Sequence, residues 1–328
     1  MDALSQVLED IHLKKTEYIY LQTQGEWAFH SPEQSALICH IVLFGELHIE
    51  FEDSEYLHLH TGDMLIIPSG RSHKGKSQSA NTLLAATNLE PLFTGLREEA
   101  IHLGQKHSRH HQKQTNSQLK NVASQKGNQR ALIFTIRSKM DSVMAMPLIH
   151  ALPHYLHLKN ALNAQEPEWL RIGLYFVAEE TKLKQPGRHK IMDHLVSIML
   201  IECIRDYITN LNDPNNWLTA LTHPELSPAF NMIHSHPDQP WTVESLAECC
   251  FMSRSKFAQL FNEVVGETPL AYLQQHRLRL ASQLLRTGQL SVQQIAHRVG
   301  YNSETAFSQA FKKHFHMTPS RYRQQSHT

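Results

Sequence analysis

Long apolar runs are missing from this chain: no stretch approaches the roughly twenty apolar residues that a membrane-spanning helix needs. The opening residues, MDALSQVLED, are acidic, whereas a secretory leader begins basic and turns apolar. A soluble, cytoplasmic protein with no membrane partner is therefore expected. Cysteine is scarce as well. Cys39, Cys203, Cys249 and Cys250 show neither metal-ligand spacing nor a disulfide framework, which suits a reducing compartment. Net charge is absent, with 31 Lys and Arg balancing 31 Asp and Glu. No global field pulls the chain onto nucleic acid, so any such binding must be local. Histidine, by contrast, is abundant at 24 residues, for most of which polar surface filler is the ordinary reading. A length of 328 residues with 41% hydrophobic content is enough to bury two separate cores.

The C-terminal third repeats itself. TVESLAECCFMSRSKFAQLFNEVVGETPLAYL from Thr242 matches SVQQIAHRVGYNSETAFSQAFKKHFHMTPSRYR from Ser291 once one inserted residue is allowed. Leu246 then falls on Ile295, Ala247 on Ala296, Phe257 on Phe307, Phe261 on Phe311, Thr268 on Thr318, Pro269 on Pro319 and Tyr272 on Tyr322. These are mostly positions that face a core, as two copies of one supersecondary unit require. Each copy reads as helix, short turn, helix. Thr242 and Ser291 are N-cap residues, and Gln294 completes a capping box. First helices are expected over 242–249 and 291–298, second helices over 253–265 and 303–315, the latter with Phe257, Leu260, Phe261 and Val264, then Phe307, Ala310, Phe311 and Phe315 on one face.

The other face of each second helix is polar. Arg254, Ser255, Lys256 and Gln259 in the first copy, and Glu304, Thr305, Ser308, Gln309, Lys312 and Lys313 in the second, are the candidate DNA-binding residues, mostly hydrogen-bond donors for base edges and phosphates. Thr-Pro at 268–269 and 318–319 starts a further helix. Between the copies, PLAYLQQHRLRLASQLLR reads as one linker helix with Leu270, Leu273, Leu280 and Leu284 inward. Two units on a rigid linker can reach successive major grooves, about 34 Å apart.

The signature A-x-x-V-G-Y-x-S-x-x-A-F-x-x-A-F-K-K-x-F-x-x-T-P-x-x-Y-R from Ala296 to Arg323 resembles that of the AraC family of transcription regulators. The resemblance covers at least residues 225–328. It implies a partnership with double-stranded promoter DNA and, as is common in the family, activation through RNA polymerase. Two departures stand out: His316 replaces the usual glycine, which copy one keeps as Gly266, and Gln309 stands where many members carry arginine, so the base read there differs.

From Glu17 to about Ala86 short β-rich runs alternate with turns: EYIYLQ, SALICHIVLFG, ELHIEF, YLHLH, DMLIIP and TLLAAT. An antiparallel barrel or sandwich is expected. Gly62, Pro68, Gly70 and His73 fit G-x5-P-x-G-x2-H, the second cupin motif, so the region resembles the cupin sensor domain of a subgroup of AraC-like regulators. The first cupin motif does not follow. If Gly45 is its glycine, Ile38 sits at the glutamate position and residues 31–34 are Ser-Pro-Glu-Gln without histidine. Three of four ligands are missing, and a lone His73 cannot hold a first-row metal, so no metal or other cofactor is expected in the barrel. His40, two residues after Ile38, can meet His73 inside, and the pair reads either as a site for an unknown small-molecule effector or as satisfied core histidines. Cys39 beside His40 is a redox candidate, weakened because strand neighbours point to opposite faces. Cys250 falls on Val299 and reads as core.

Residues 102–130 contain no acid and read as a mobile basic insertion, in which His107, His110 and His111 can take up stray metal. ALIFTIRS reads as a returning strand, and PLIHALPHYLHL, PEWLRIGLYFVAEETK and RHKIMDHLVSIMLIECIRDYI as helices. The last is apolar around most of its girth, with Ile191, Leu195, Ile198, Met199, Ile201, Ile204 and Ile208, which suits packing under the barrel or a homodimer interface. The expected whole is an α+β multidomain chain: a cupin-like antiparallel β-barrel sensor over 1–145, a helical coupling or dimerisation region over 146–212, a linker over 213–221 and an all-α tandem helix-turn-helix domain over 222–328. Its function is sequence-specific transcription regulation, with activation expected, and not catalysis. A cupin-type metalloenzyme with an accessory DNA-binding tail and an effector-free architectural DNA binder are the alternatives.

Overall fold

A computed structural model describes residues 4–5, 7–8, 15–78, 80, 84–93, 100–104, 130–159, 172, 186–211 and 216–326. The chain divides into two compact units. One holds Lys14–Lys139 and Leu152–Ile201, and the other Met1–Leu13, Met140–Ala151 and Glu202–Thr328.

Alternating apolar and polar residues build the first unit from eleven strands among the described residues: β1 (Lys15–Gln24), β2 (Ala28–Ser31), β3 (Ala36–Phe44), β4 (Glu46–Phe51), β5 (Tyr56–His60), β6 (Met64–Ile67), β7 (His73–Lys76), β8 (Thr87–Asn88), β9 (Ile101–Gly104), β10 (Arg130–Lys139) and β11 (Leu156–Leu158). They form two sheets, ordered β11-β6-β3-β10-β1-β9 and β5-β4-β7-β2-β8. Neighbours run antiparallel except β9 beside β1 and β8 beside β2. Leu21, Phe29, Val42, Ile49, Leu65 and Ile133 come from both sheets and meet in one buried cluster. Strand β7, HKGK, lacks every usual strand former. Gly75 is there because Phe29 lies on it: a Cβ would come within 2.1 Å of the ring.

Several sequence expectations change. The run TLLAAT yields a strand only at Thr87–Asn88, with 82–83 outside the described residues. The basic insertion is shorter than 102–130, because Ile101–Gly104 pairs with β1 and Arg130 already belongs to β10; 105–129, with His107, His110 and His111, lie outside the described residues. PLIHALPHYLHL is not one helix. Helix α1 (Ser142–Ala151) starts earlier, where Asp141 Oδ1 accepts from Val143 N and Met144 N, and Leu156–Leu158 pairs with β6 instead. The expected helix PEWLRIGLYFVAEETK lies outside the described residues, Ile172 aside.

Helix α2 (Arg188–Thr209) buries Val196, Met199, Leu200, Cys203 and Ile204 but leaves Ile191 41% and Ile198 52% exposed. Further helices are α3 (Trp217–Thr222), α4 (Ser227–Ser235), α5 (Val243–Cys249), α6 (Arg254–Val265), α7 (Pro269–Thr287), α8 (Val292–Arg298), α9 (Glu304–Phe315) and α10 (Pro319–Ser326). The stretch expected as a linker, 213–221, is helical from Trp217, with Leu218, Ala220 and Leu221 buried; 212–215 are outside the described residues. Along α7 the inward leucines differ from expectation. Leu273, Leu278 and Leu285 are buried while Leu270 is 42% exposed. A helix that serves one core at its start and another at its end has no single apolar stripe to read.

Candidate nucleic-acid interface

Caps fix where both copies of the repeat begin. Thr242 and Ser291 each accept from the backbone three residues on and are reached back by Ser245 and Gln294, giving a capping box in both copies. Ser253 and Ser303 cap α6 and α9. Both of those helices end on a left-handed residue, Gly266 at φ 82 and His316 at φ 59, so His316 does occupy the glycine position. In the turn between α8 and α9 Gly300 has φ 86, and a Cβ there would strike the Arg277 guanidinium. Arg277 is needed in place, because its Nε donates to Pro237 O at 2.6 Å and a terminal nitrogen to Gln239 O at 2.7 Å, holding the segment before α5 against α7.

Phe230 stacks on Phe261 beneath α6, and Ile295, Phe307 and Phe311 share a buried cluster beneath α9. The matching tyrosines serve both copies. The Tyr272 hydroxyl meets His234 Nε2 at 2.8 Å and Trp217 Nε1 at 3.2 Å, whereas the Tyr322 hydroxyl accepts from Arg286 at 2.7 Å. Burying these faces turns the candidate residues outward. Arg254, Ser255, Lys256, Gln259, Glu304, Thr305, Gln309, Lys312 and Lys313 are exposed, and Ser308 is half-buried. Arg254 pairs with Glu244 at 2.9 Å and Lys256 with Glu225 at 3.1 Å, while Gln259 donates to Glu263 at 2.8 Å. Exposed pairs of this kind are worth about 0–1 kcal/mol, so phosphates can displace them.

In the first unit His40 and His73 do meet. Their Nε2 atoms lie 2.8 Å apart, His40 Nδ1 lies 2.9 Å from Thr135 Oγ1, and His73 Nδ1 lies 2.7 Å from Arg71 O. A carbonyl only accepts, so His73 donates from Nδ1, accepts at Nε2 from the Nε2–H of His40, and leaves His40 Nδ1 to accept from Thr135. Burial, and for His40 its neighbour His73, holds the His40 imidazole well below the ordinary range; burial brings His73 down to about 4. Every ring nitrogen is engaged within the protein. Two such histidines do not make a first-row metal site, which takes three or more ligands. Cys39 is buried, and both ring nitrogens of the neighbouring His40 bond to Thr135 and His73.

Three features escaped the sequence reading. The histidines cluster rather than merely coat the surface: His48, His58 and His60 on adjacent strands, His234 beside His276 in the helical core. The spacing ELH and HLH, two residues on paired strands, was the available signal. A cleft of about 820 Å³ runs between α1, α7 and the end of α9, lined by Met146, Trp217, Glu267, Arg279, His314 and Phe315 among others. Finally, Asp141 caps α1 with one oxygen and takes the Arg286 guanidinium with the other, a pairing across 145 positions of sequence that no local pattern announces.

Comparison with known proteins agrees with this geometry. The helix-turn-helix domain family matches residues 246–325 and the cupin family residues 2–209. The HTH-type transcriptional regulator AlkR of Acinetobacter baylyi is 54% identical over 326 residues, covering 99% of this chain and 100% of that one. The RCS-specific HTH-type transcriptional activator RclR of Escherichia coli is 37% identical over 174 residues, 53% of this chain and 61% of that one. Among solved structures, an AraC-type regulator from Chromobacterium violaceum aligns with 32% of this chain and 94% of its own at 30% identity and a TM-score of 0.31. The chain belongs to the AraC-like HTH-type transcriptional regulators, in the group whose DNA-binding domain follows a cupin domain.

Proposed function

We propose that this regulator reads promoter DNA with α6 and α9 and activates transcription through RNA polymerase in the cytoplasm when its cupin unit senses a small effector or stress signal. The observation that carries the reading is the pair of equivalent capped helices, joined through the single helix α7, each with its aromatic face buried and its polar face exposed. The name of RclR, an activator, supports the sign of regulation. Exposed Ile191 and Ile198, two turns apart on α2, support a homodimer through that helix. His40 and His73, which tie β3 to β7 inside the cupin unit, are the residues proposed to relay the effector response. Catalysis is no part of the proposal.

Thr305, Ser308 and Gln309 occupy the N-terminal half of α9 and are assigned to base edges, while Lys312 and Lys313 a turn later are assigned to phosphates. A glutamine amide both donates and accepts, matching the N6 and N7 edge of adenine. Gln309→Ala should cost about 1–3 kcal/mol on the best site and relax preference at one base pair. Lys312→Ala should weaken all sites alike and lower the salt slope by about one released counterion. Binding isotherms at several salt concentrations, on a selected site and its single-base variants, test this. A Lys312 variant with altered base preference and an unchanged salt slope would show the helix to be wrongly placed.

A further inference from the structure

Strands β4 and β5 pair with Glu46 opposite His60, His48 opposite His58 and Glu50 opposite Tyr56. Leu47, Ile49 and Leu59, one residue out of phase, are fully buried in the core, so those six side chains share the outer face of the sheet. Glu46, His48 and His58 each offer a donor atom there, all within 4.8 Å of one another. His58 Nε2 lies 3.2 Å from Glu46 Oε2, His48 Nε2 4.0 Å from the same oxygen, and His60 Nδ1 3.9 Å from Glu46 Oε1.

His48 supplies an independent observation. Its side chain is only 5% exposed, Tyr56 engages Nδ1 at 2.6 Å, and Nε2 is buried with no hydrogen-bond partner among the described residues. Leaving such an atom unmatched costs about 1–3 kcal/mol. The gap of 4.0 Å to Glu46 is too long for a hydrogen bond, and with the 3.2 Å between His58 and the same oxygen it brackets the roughly 3.4 Å edge between two ligands of a tetrahedral zinc bound at about 2.0–2.2 Å. Tyr56 fits the same picture: its hydroxyl is placed to accept from Nδ1–H in the tautomer that presents the Nε2 lone pair, the usual role of a group behind a metal-bound histidine.

We propose that Glu46, His48 and His58, completed by His60, bind a divalent transition-metal ion, zinc by preference, on the outer face of the second sheet. Imidazoles with one carboxylate suit zinc, nickel or copper rather than calcium or magnesium. The site is separate from His40 and His73, which bond to each other in the unit's interior. β5 is an edge strand, so the ion would cross-link it to β4. The competing explanation is a polar coat that discourages edge pairing, which requires no metal affinity.

Full-length protein stripped with a chelator and titrated with zinc against a chromophoric competitor distinguishes the two. One ion per chain, bound with a Kd below about 1 µM, is expected, with a melting temperature that rises with free zinc. Cobalt should give tetrahedral visible bands without a thiolate charge-transfer band. Glu46→Gln, at an exposed position, and His58→Gln, at a half-buried one, should each weaken binding by at least about 100-fold, and Tyr56→Phe by about 10-fold. A variant with His107, His110 and His111 changed to Gln should bind as the parent does. The assignment is overturned if Glu46→Gln and His58→Gln bind zinc as tightly as the parent, if the triple variant loses the ion, or if no stoichiometric site is found.

Discussion

Asp141 shows how much a single carboxylate can do. One oxygen accepts from Val143 N and Met144 N at the start of α1, and the other takes Arg286, whose guanidinium also serves Tyr322. Asp141 is almost wholly buried and Arg286 largely so. Replacing Asp141 with Asn keeps the cap but turns an amide donor against a guanidinium donor, which should cost about 3 kcal/mol. Asp141→Ala removes the cap as well and should cost about 1 kcal/mol more. Urea unfolding of the two variants measures both figures. If they differ from the parent by less than about 0.5 kcal/mol, the pair contributes nothing to stability.

Elements were legible where local chemistry decides them. Thr242, Ser291 and the two Thr-Pro pairs announced helix starts that the structure keeps to within a residue, and the repeat announced that α6 and α9 are equivalent. Strands β7 and β11 were not legible, because their pairing comes from distant partners: HKGK fits only where Phe29 covers Gly75, and Leu156–Leu158 is a strand only because β6 lies beside it. The same limit hid the outer histidine cluster, since alternation tells which face a side chain takes but not which strand lies next to it. The helical elements also predict how far the molecule can be cut. A fragment of residues 215–328 keeps the aromatic clusters under α6 and α9 and should bind duplex DNA, as fluorescence anisotropy can measure. It loses Ala151 O and Asp141, the partners of Asn216 and Arg286, and should melt several degrees lower. Absence of any binding by the soluble fragment would mean that the domain is not autonomous or needs its dimer.

Across the whole molecule, buried histidines make acid the weak direction. Burial holds His40, His73 and His276 below the ordinary histidine range, with the second histidine of each pair adding to the effect on His40 and His276. The unfolded chain binds protons near pH 6.5 and the folded chain does not, so the stability these groups contribute is complete above that pH and falls as pH drops below it. For His73 alone the loss between 6.5 and about 4 amounts to roughly 3 kcal/mol. Urea midpoints measured from pH 7.5 to 4.5 should therefore fall steeply below 6.5. In the double variant His40→Leu, His73→Leu the slope should be shallower by one to two protons, even though the variant is less stable throughout. An unchanged slope would place the acid sensitivity elsewhere.

The two tyrosine slots of the repeat carry a last consequence. Tyr272 is met by His234 and Trp217, and Tyr322 by an arginine already bound to Asp141. Same-shaped halves have thus been keyed to different neighbours, and they are no longer spare parts for one another. A chain in which the halves were transposed would set each hydroxyl against the wrong lock, so recombination between the copies, easy as their likeness makes it, is penalised by the surroundings of each.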